Sequence, residues 1–278
     1  MSPAGLPPLG ELLQFPFMQR ALLAGLLSGS LGGLLGSFTV LRQLSFFSDA
    51  LGHSALLGIS LGLLLGLNPT LVLIPFAVGF ALLVGRLVER SRLPTDALLN
   101  VVYSSALAIA VVVLTALPGQ RGRLEQLLFG DILAVGWADL ALLATLLALA
   151  LAYLVTTRRS QILLTLDPAM ATARGVAVGW QRLLFMVVLA VVVALSIKAV
   201  GVLLISAFLV IPACAARQIS SGFGSYLWLS AITGGSCGLL GILASGLFNL
   251  PSGPCVVIVQ LLAFVLALLL SSRQAAAG

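Results

Sequence analysis

The hydrophobic positions of this chain fall into long unbroken runs separated by short polar stretches. Residues such as Val187 to Ala194 show no alternation. Strands of a membrane barrel alternate apolar and polar residues over about ten positions, so this pattern predicts helices instead. A helix crosses the hydrocarbon core with roughly 20 apolar residues. On that measure the runs predict nine spans, at about 21–41, 50–67, 69–85, 97–117, 137–157, 183–197, 199–216, 226–247 and 254–271. The seventh is short and contains Pro212. If it is re-entrant, the count is eight and the later loops change sides.

The polar stretches orient the spans. With the N-terminus outside and the C-terminus cytoplasmic, Arg42, Arg86, Arg90, Arg92, Arg158, Arg159, Arg174, Arg182, Arg217 and Arg273 fall on the inner side. Only Arg20, Arg121, Arg123 and Lys198 fall outside. The reverse orientation inverts that ratio and violates the positive-inside rule.

Composition narrows the class. Hydrophobic residues make up 60% of the 278 positions and charged residues 8%. A soluble domain carries about 25% charged residues, so this chain cannot clothe a water-exposed surface. Intrinsic disorder is excluded by the same numbers. The chain reads as one all-α transmembrane domain, 1–278, with a cytoplasmic loop at 158–182 inside it. The net charge of +6 sits mostly on loop arginines, which suits topology rather than nucleic-acid binding. Cys214, Cys237 and Cys255 are odd in number and lie in apolar stretches, which argues for buried small residues and against a disulfide framework. The Pro-rich N-terminus shows no basic segment ahead of an apolar core, so no cleavable signal is expected. No internal repeat is evident, and the Gly-rich first span has no obvious counterpart in the second half.

Most charges lie in the loops. The exception is Asp49 with His53, the only histidine, at the head of the second span. Their i,i+4 spacing places carboxylate and imidazole on one helix face. Mixed oxygen and nitrogen donors suit Mn(II), Fe(II) or Zn(II). One chain offers two such ligands, and two chains about a two-fold axis would offer four. Two blander readings stand beside this one. Asp49 could cap the helix while His53 makes a buried hydrogen bond, or the two could relay protons.

In the polar segment, Asp167-Pro168 is a plausible N-cap with proline at the first helical position, and Gly175 stands where a short helix would end. Residues 167–175, including Ala169, Met170, Ala171 and Arg174, form either a plain surface helix or a docking knob for a cytoplasmic partner. Gly29, Gly32, Gly33 and Gly36, with Gly25 and Ser28, allow close packing of the first span. That packing is either ordinary or the wall of a narrow gated path. The single lysine, Lys198, precedes Ala199, so the chain holds no Walker Gly-Lys-Ser/Thr for ATP. One histidine and few acids also leave no hydrolase constellation.

Four ordered stretches resemble the permease family of ABC importers for manganese, zinc and iron. The first is Phe17-Met18-Gln19-Arg20-Ala21-Leu22, Leu35-Gly36-Ser37-Phe38 and Leu41-Arg42, continuing through Asp49 and His53 to Leu56-Leu57-Gly58. The second is Leu128-Phe129-Gly130-Asp131-Ile132-Leu133. The third joins Asp167 to Gly175 with Lys198-Ala199-Val200-Gly201-Val202-Leu203-Leu204 and Val210-Ile211-Pro212-Ala213. The fourth is Leu250-Pro251-Ser252-Gly253-Pro254.

The resemblance implies a type II importer-like permease in the plasma membrane of a bacterium. It implies a pair of copies bound to two ATPase subunits and fed by an extracytoplasmic metal-binding protein. Asp49 and His53 would then line the metal path, and 167–175 would be the coupling helix seated in the ATPase. The chain itself would be no enzyme, hold no permanent cofactor and meet ATP only through its partner. Ser48 and Gly52 depart from the residues the family often has before the Asp and the His, Ala169 replaces a frequent acid, and Asn249 stands where relatives carry Asp. A secondary carrier, a channel and a membrane metalloenzyme are the competing classes, with a siderophore or cobalamin permease the nearest alternative. The ligand pair argues against that last one.

Overall fold

The computed structural model describes residues 9–115 and 132–277. Residues 116–131 lie outside them, and with them most of the connector after the fourth span, including Arg121, Arg123, Glu125 and the Leu128–Asp131 part of the second stretch. The described residues are helical, with no strand among them. In chain order the helices are α1 Leu9–Leu12, α2 Pro16–Leu41, α3 Ser45–Leu64, α4 Pro69–Arg90, α5 Thr95–Thr115, α6 Trp137–Thr156, α7 Arg158–Leu166, α8 Pro168–Ala173, α9 Val178–Val200, α10 Val202–Ile219, α11 Phe223–Phe248 and α12 Ser252–Ala277. A 3-10 turn, Ile132–Ala134, precedes α6.

Eight of these are long and apolar enough to cross a membrane, and α10 is a shorter apolar helix containing Pro212. The nine apolar runs are therefore nine helices among the described residues, eight of them of spanning length. Several begin earlier than hydropathy suggests. Polar and aromatic residues such as Ser45–Asp49 form a first turn that a hydrophobicity window discounts. A single residue, Gly201, separates α9 from α10. Its φ of 88° is open only to glycine without strain. Asn249 ends α11 in the left-handed region, with φ 51° and ψ 46°. Asparagine tolerates that conformation, so its place here has a backbone explanation.

The chain divides into two compact units. The first comprises Met1–Ser37, Phe129–Leu147 and Ala207–Gly278. In it α2 and α11 run antiparallel at backbone contact. A Cβ on Gly29 would strike the Gly234 carbonyl, one on Gly33 the Ser230 carbonyl, and one on Gly25 the Gly238 carbonyl at 2.9 Å. On a neighbouring face, Gly32 and Gly36 abut the backbone of Phe208 and Leu209 of α10. The glycine face of the first span thus packs on the stripe Ser230, Gly234 and Gly238 of α11. The Tyr226 hydroxyl adds a 3.1 Å hydrogen bond to the Ser37 carbonyl.

The second unit comprises Phe38–Leu128 and Ala148–Ser206. Here α3 packs on α5, α4 and α9. Phe47 is fully buried, its ring 5.7 Å from that of Phe80 on α4. Phe38 meets Phe185 of α9 at 6.1 Å. Small residues again set the close approaches: Gly58 lies against Phe76 and Gly52 against Val202.

Candidate functional site

Asp49 and His53 both lie on α3, in the second unit. The helix starts at Ser45, after Leu44, and no side chain caps it. Asp49 is therefore inside the helix, not at its head, and the capping role open to it in the sequence is excluded. The earlier start has a cause: burial of Phe47 against Phe80 stabilises the additional turn.

Inside the helix the carboxylate and imidazole share a face, as their spacing predicts. His53 Nε2 stands 3.6 Å from Asp49 Oδ1. Their side chains retain 20% and 34% exposure, so both donor atoms remain reachable. Tyr103 of α5 flanks them, its ring 5.3 Å from the imidazole. Phe46 meets the same tyrosine edge-on at 6.3 Å. Nothing in the sequence points to Tyr103, because an aromatic residue on an apolar helix carries no signal of its own. Two donors are too few to enclose an ion. Among the described residues no three His, Cys, Asp or Glu side chains come together.

The segment 167–175 takes the conformation its punctuation predicts. Asp167 sits in extended backbone, and its Oδ1 accepts from the N–H groups of Ala169 at 2.9 Å and Met170 at 3.0 Å. Pro168 opens α8. After Arg174, Gly175 turns the chain at φ 78°. Its N–H donates to Thr172 and that of Val176 to Ala171, both at 3.0 Å. Ala171 is buried and anchors the helix. Asp167, Pro168, Ala169, Arg174 and Gly175 are exposed, and so are the large apolar side chains of Leu166 and Met170. A six-residue helix with apolar groups facing outward is better suited to contact another surface than to stand alone.

The remaining predicted residues, Gly29, Gly32, Gly33 and Gly36, lie in the first unit and hold α2 against α11 and α10. Their neighbours are the backbones of those two helices.

A second cluster carries no motif. Arg42, directly after α2, reaches α7, where Nε donates to Thr165 Oγ1 at 3.1 Å and Nη2 to Gln161 Oε1 at 2.5 Å. Burial pushes this guanidinium down to about 10, with Arg182 acting in the same sense and Tyr153 against it.

The comparisons with known proteins agree with this architecture. Residues 14–271 match the family described as the ABC 3 transport family. The manganese transport system membrane protein MntC of Listeria innocua is 28% identical over 263 residues, covering 95% of this chain and 94% of the relative. The high-affinity zinc uptake system membrane protein ZnuB of Haemophilus influenzae is 32% identical, covering 93% and 99%. Among solved structures, PsaBC from Streptococcus pneumoniae in complex with Fab superposes with a TM-score of 0.81 at 28% identity, over 93% of each chain. A match that runs from just before α2 into the last apolar helix leaves one assignment: this chain belongs to the ABC 3 transport family.

Proposed function

We propose that the chain is the membrane-spanning permease of an ATP-driven importer for a divalent transition metal, manganese or zinc, with iron as a third cargo. The observation that carries this reading is the Asp49–His53 pair, an oxygen and a nitrogen donor one turn apart and partly exposed on a helix with no other ionisable side chain. Ionisable groups within a membrane-spanning helix are costly unless they serve a path. Relatives whose names specify manganese and zinc support the class of cargo.

One pair leaves most of a metal's coordination sphere to be supplied elsewhere. Two copies about a two-fold axis bring two carboxylates and two imidazoles to one ion. These replace part of its hydration shell as it passes. An extracytoplasmic metal-binding protein delivers the ion to the outer face. No Gly-Lys-Ser/Thr exists in this chain, so the energy comes from two separate cytoplasmic ATPase subunits. The segment 167–175 docks on them through exposed Leu166 and Met170. The glycines of α2 permit the close packing that a narrow path requires. With α10 as a ninth crossing, the arginine distribution favours the N-terminus outside and the C-terminus in the cytoplasm of a bacterial cell.

The test is uptake of radioactive manganese and zinc by the complete complex carrying Asp49→Ala or His53→Ala. Both substitutions are expected to abolish most transport. Parent rate and parent metal preference in both variants would overturn the site.

A further inference from the structure

Arg42 sits at a junction. Its side chain reaches α7, the helix that leads directly into α8. Its backbone belongs to the three-residue turn, 42–44, that leads into α3.

On the side-chain face, the guanidinium lies 4.4 Å from the centre of the Phe185 ring and 5.4 Å from that of Phe38. Nη2 donates to the Gln161 carbonyl at 3.1 Å as well as to its side chain, and Nε to Thr165. Gln161 and Thr165 are one turn apart, so the planar fork grips α7 at two levels. Gln161 is fully buried and held in turn by the Tyr153 hydroxyl at 2.7 Å and the Gln181 Oε1 at 3.1 Å. Two residues past Thr165 comes Asp167, the cap of α8.

On the backbone face, the turn is closed tightly. The Leu44 N–H donates to the Thr39 carbonyl at 2.9 Å and the Gln43 N–H to the Val40 carbonyl at 3.2 Å. Gln43 adopts φ 56°, which a non-glycine residue holds only where its surroundings impose it. The next residues open α3, which bears Asp49 and His53.

As a way to fill space, this arginine is expensive. Nη1 is buried without an acceptor. Among the described residues no carboxylate lies within salt-bridge distance of Arg42. An apolar side chain of similar length would fit at lower cost. What the guanidinium supplies is a fixed geometry between α7 and the turn.

We propose that Arg42 is the positioning residue that passes displacement of the 167–175 segment to α3 and its Asp49–His53 pair. This role rests on the transport reading above. Motion of α8 moves α7. The fork carries that motion to the stiff turn, and the turn reorients the helix that holds the ligands.

The test uses the complete complex with both ATPase subunits in proteoliposomes, with manganese uptake and ATP hydrolysis measured on the same preparation. Arg42→Met is expected to assemble with the ATPase and hydrolyse ATP, while metal moved per ATP falls about tenfold. Arg42→Lys is expected not to restore the ratio, because one ammonium cannot span both Gln161 and Thr165. An unchanged ratio in Arg42→Met overturns the proposal. So does loss of assembly, or a parallel fall of both activities, since either marks a residue that only holds the fold. A parent complex that moves none of manganese, zinc and iron would overturn the transport reading itself. A parent that transports beside a fully coupled Arg42→Met would overturn the role of Arg42 alone.

Discussion

The His53 imidazole and the Tyr103 ring lie 5.3 Å apart, centre to centre, with their planes inclined at 52°. The contact joins α3 to α5 and limits how the imidazole can turn. Phe46, about two helical turns before His53, meets the tyrosine edge-on. The contact is between the two rings, so Tyr103→Phe is expected to keep manganese uptake near the parent rate. Tyr103→Ala frees the imidazole and is expected to lower uptake about two- to tenfold, the worth of one aromatic contact. Equal losses in both variants would show that the hydroxyl, not the ring, is what the site uses.

Asp167 presents a separable case. Its carboxylate accepts two backbone N–H groups at the start of α8. Asp167→Asn retains a good cap and is expected to co-purify with the ATPase like the parent. Asp167→Ala loses the cap, a change of about 1 kcal/mol in the local helix. In so short a helix that is enough to loosen the exposed Leu166 and Met170. The expected result is faster proteolysis at 167–175 and a weaker hold on the ATPase in pull-down. Equal behaviour of the Asn and Ala variants would show that the cap is not what orders the segment.

The extent to which these features are legible in the sequence follows from how local each one is. The α8 helix is written in its own residues, because Asp-Pro at one end and Gly at the other act on their own backbone. The Asp49–His53 face is equally local, being a matter of spacing within one helix. The start of α3 is not, since the buried contact of Phe47 with Phe80 lies across a helix interface. Nor is the Arg42 fork, whose acceptors lie well over a hundred positions away. A loop arginine after a span reads as a topology signal, and only the fold shows that its guanidinium is drawn into the protein.

The α2–α11 contact yields a stability prediction. The carbonyls of Gly234 and Ser230 occupy the space that a Cβ on Gly29 or Gly33 would need. Backbone cannot rotate aside as a side chain can. Gly29→Ala and Gly33→Ala are each expected to destabilise the detergent-solubilised protein by about 1–3 kcal/mol. Gly79 in α4 has nothing within 4 Å of such a Cβ. Gly79→Ala is expected to be neutral or to stabilise by up to about 1 kcal/mol, through helix propensity. Thermal unfolding of the three variants side by side decides the matter. A loss at Gly79 as large as at Gly33 would mean that propensity and not contact governs these positions.

Arg42 and Gln161 offer a stability signature distinct from transport. Burial holds the guanidinium down to about 10, so the folded protein binds this proton less tightly than the unfolded chain does. The sign follows from linkage. At neutral pH the charged group is a net cost to folding, and as pH rises past 10 the folded state sheds the proton first and the cost relaxes. Arg42→Met is therefore expected to melt no lower than the parent at neutral pH, with any gain shrinking above pH 10. Gln161→Leu does the opposite. It removes the side-chain acceptor and leaves a charged group short of a partner, at a cost of about 1–3 kcal/mol. Once Arg42 is already methionine, the same change at Gln161 removes no acceptor from a charge, so the double variant is expected to recover stability relative to Gln161→Leu alone. The coupling between the two sites would then be about 0.5–3 kcal/mol. Additive losses in the double variant would show that the hydrogen bond between them contributes nothing to the fold.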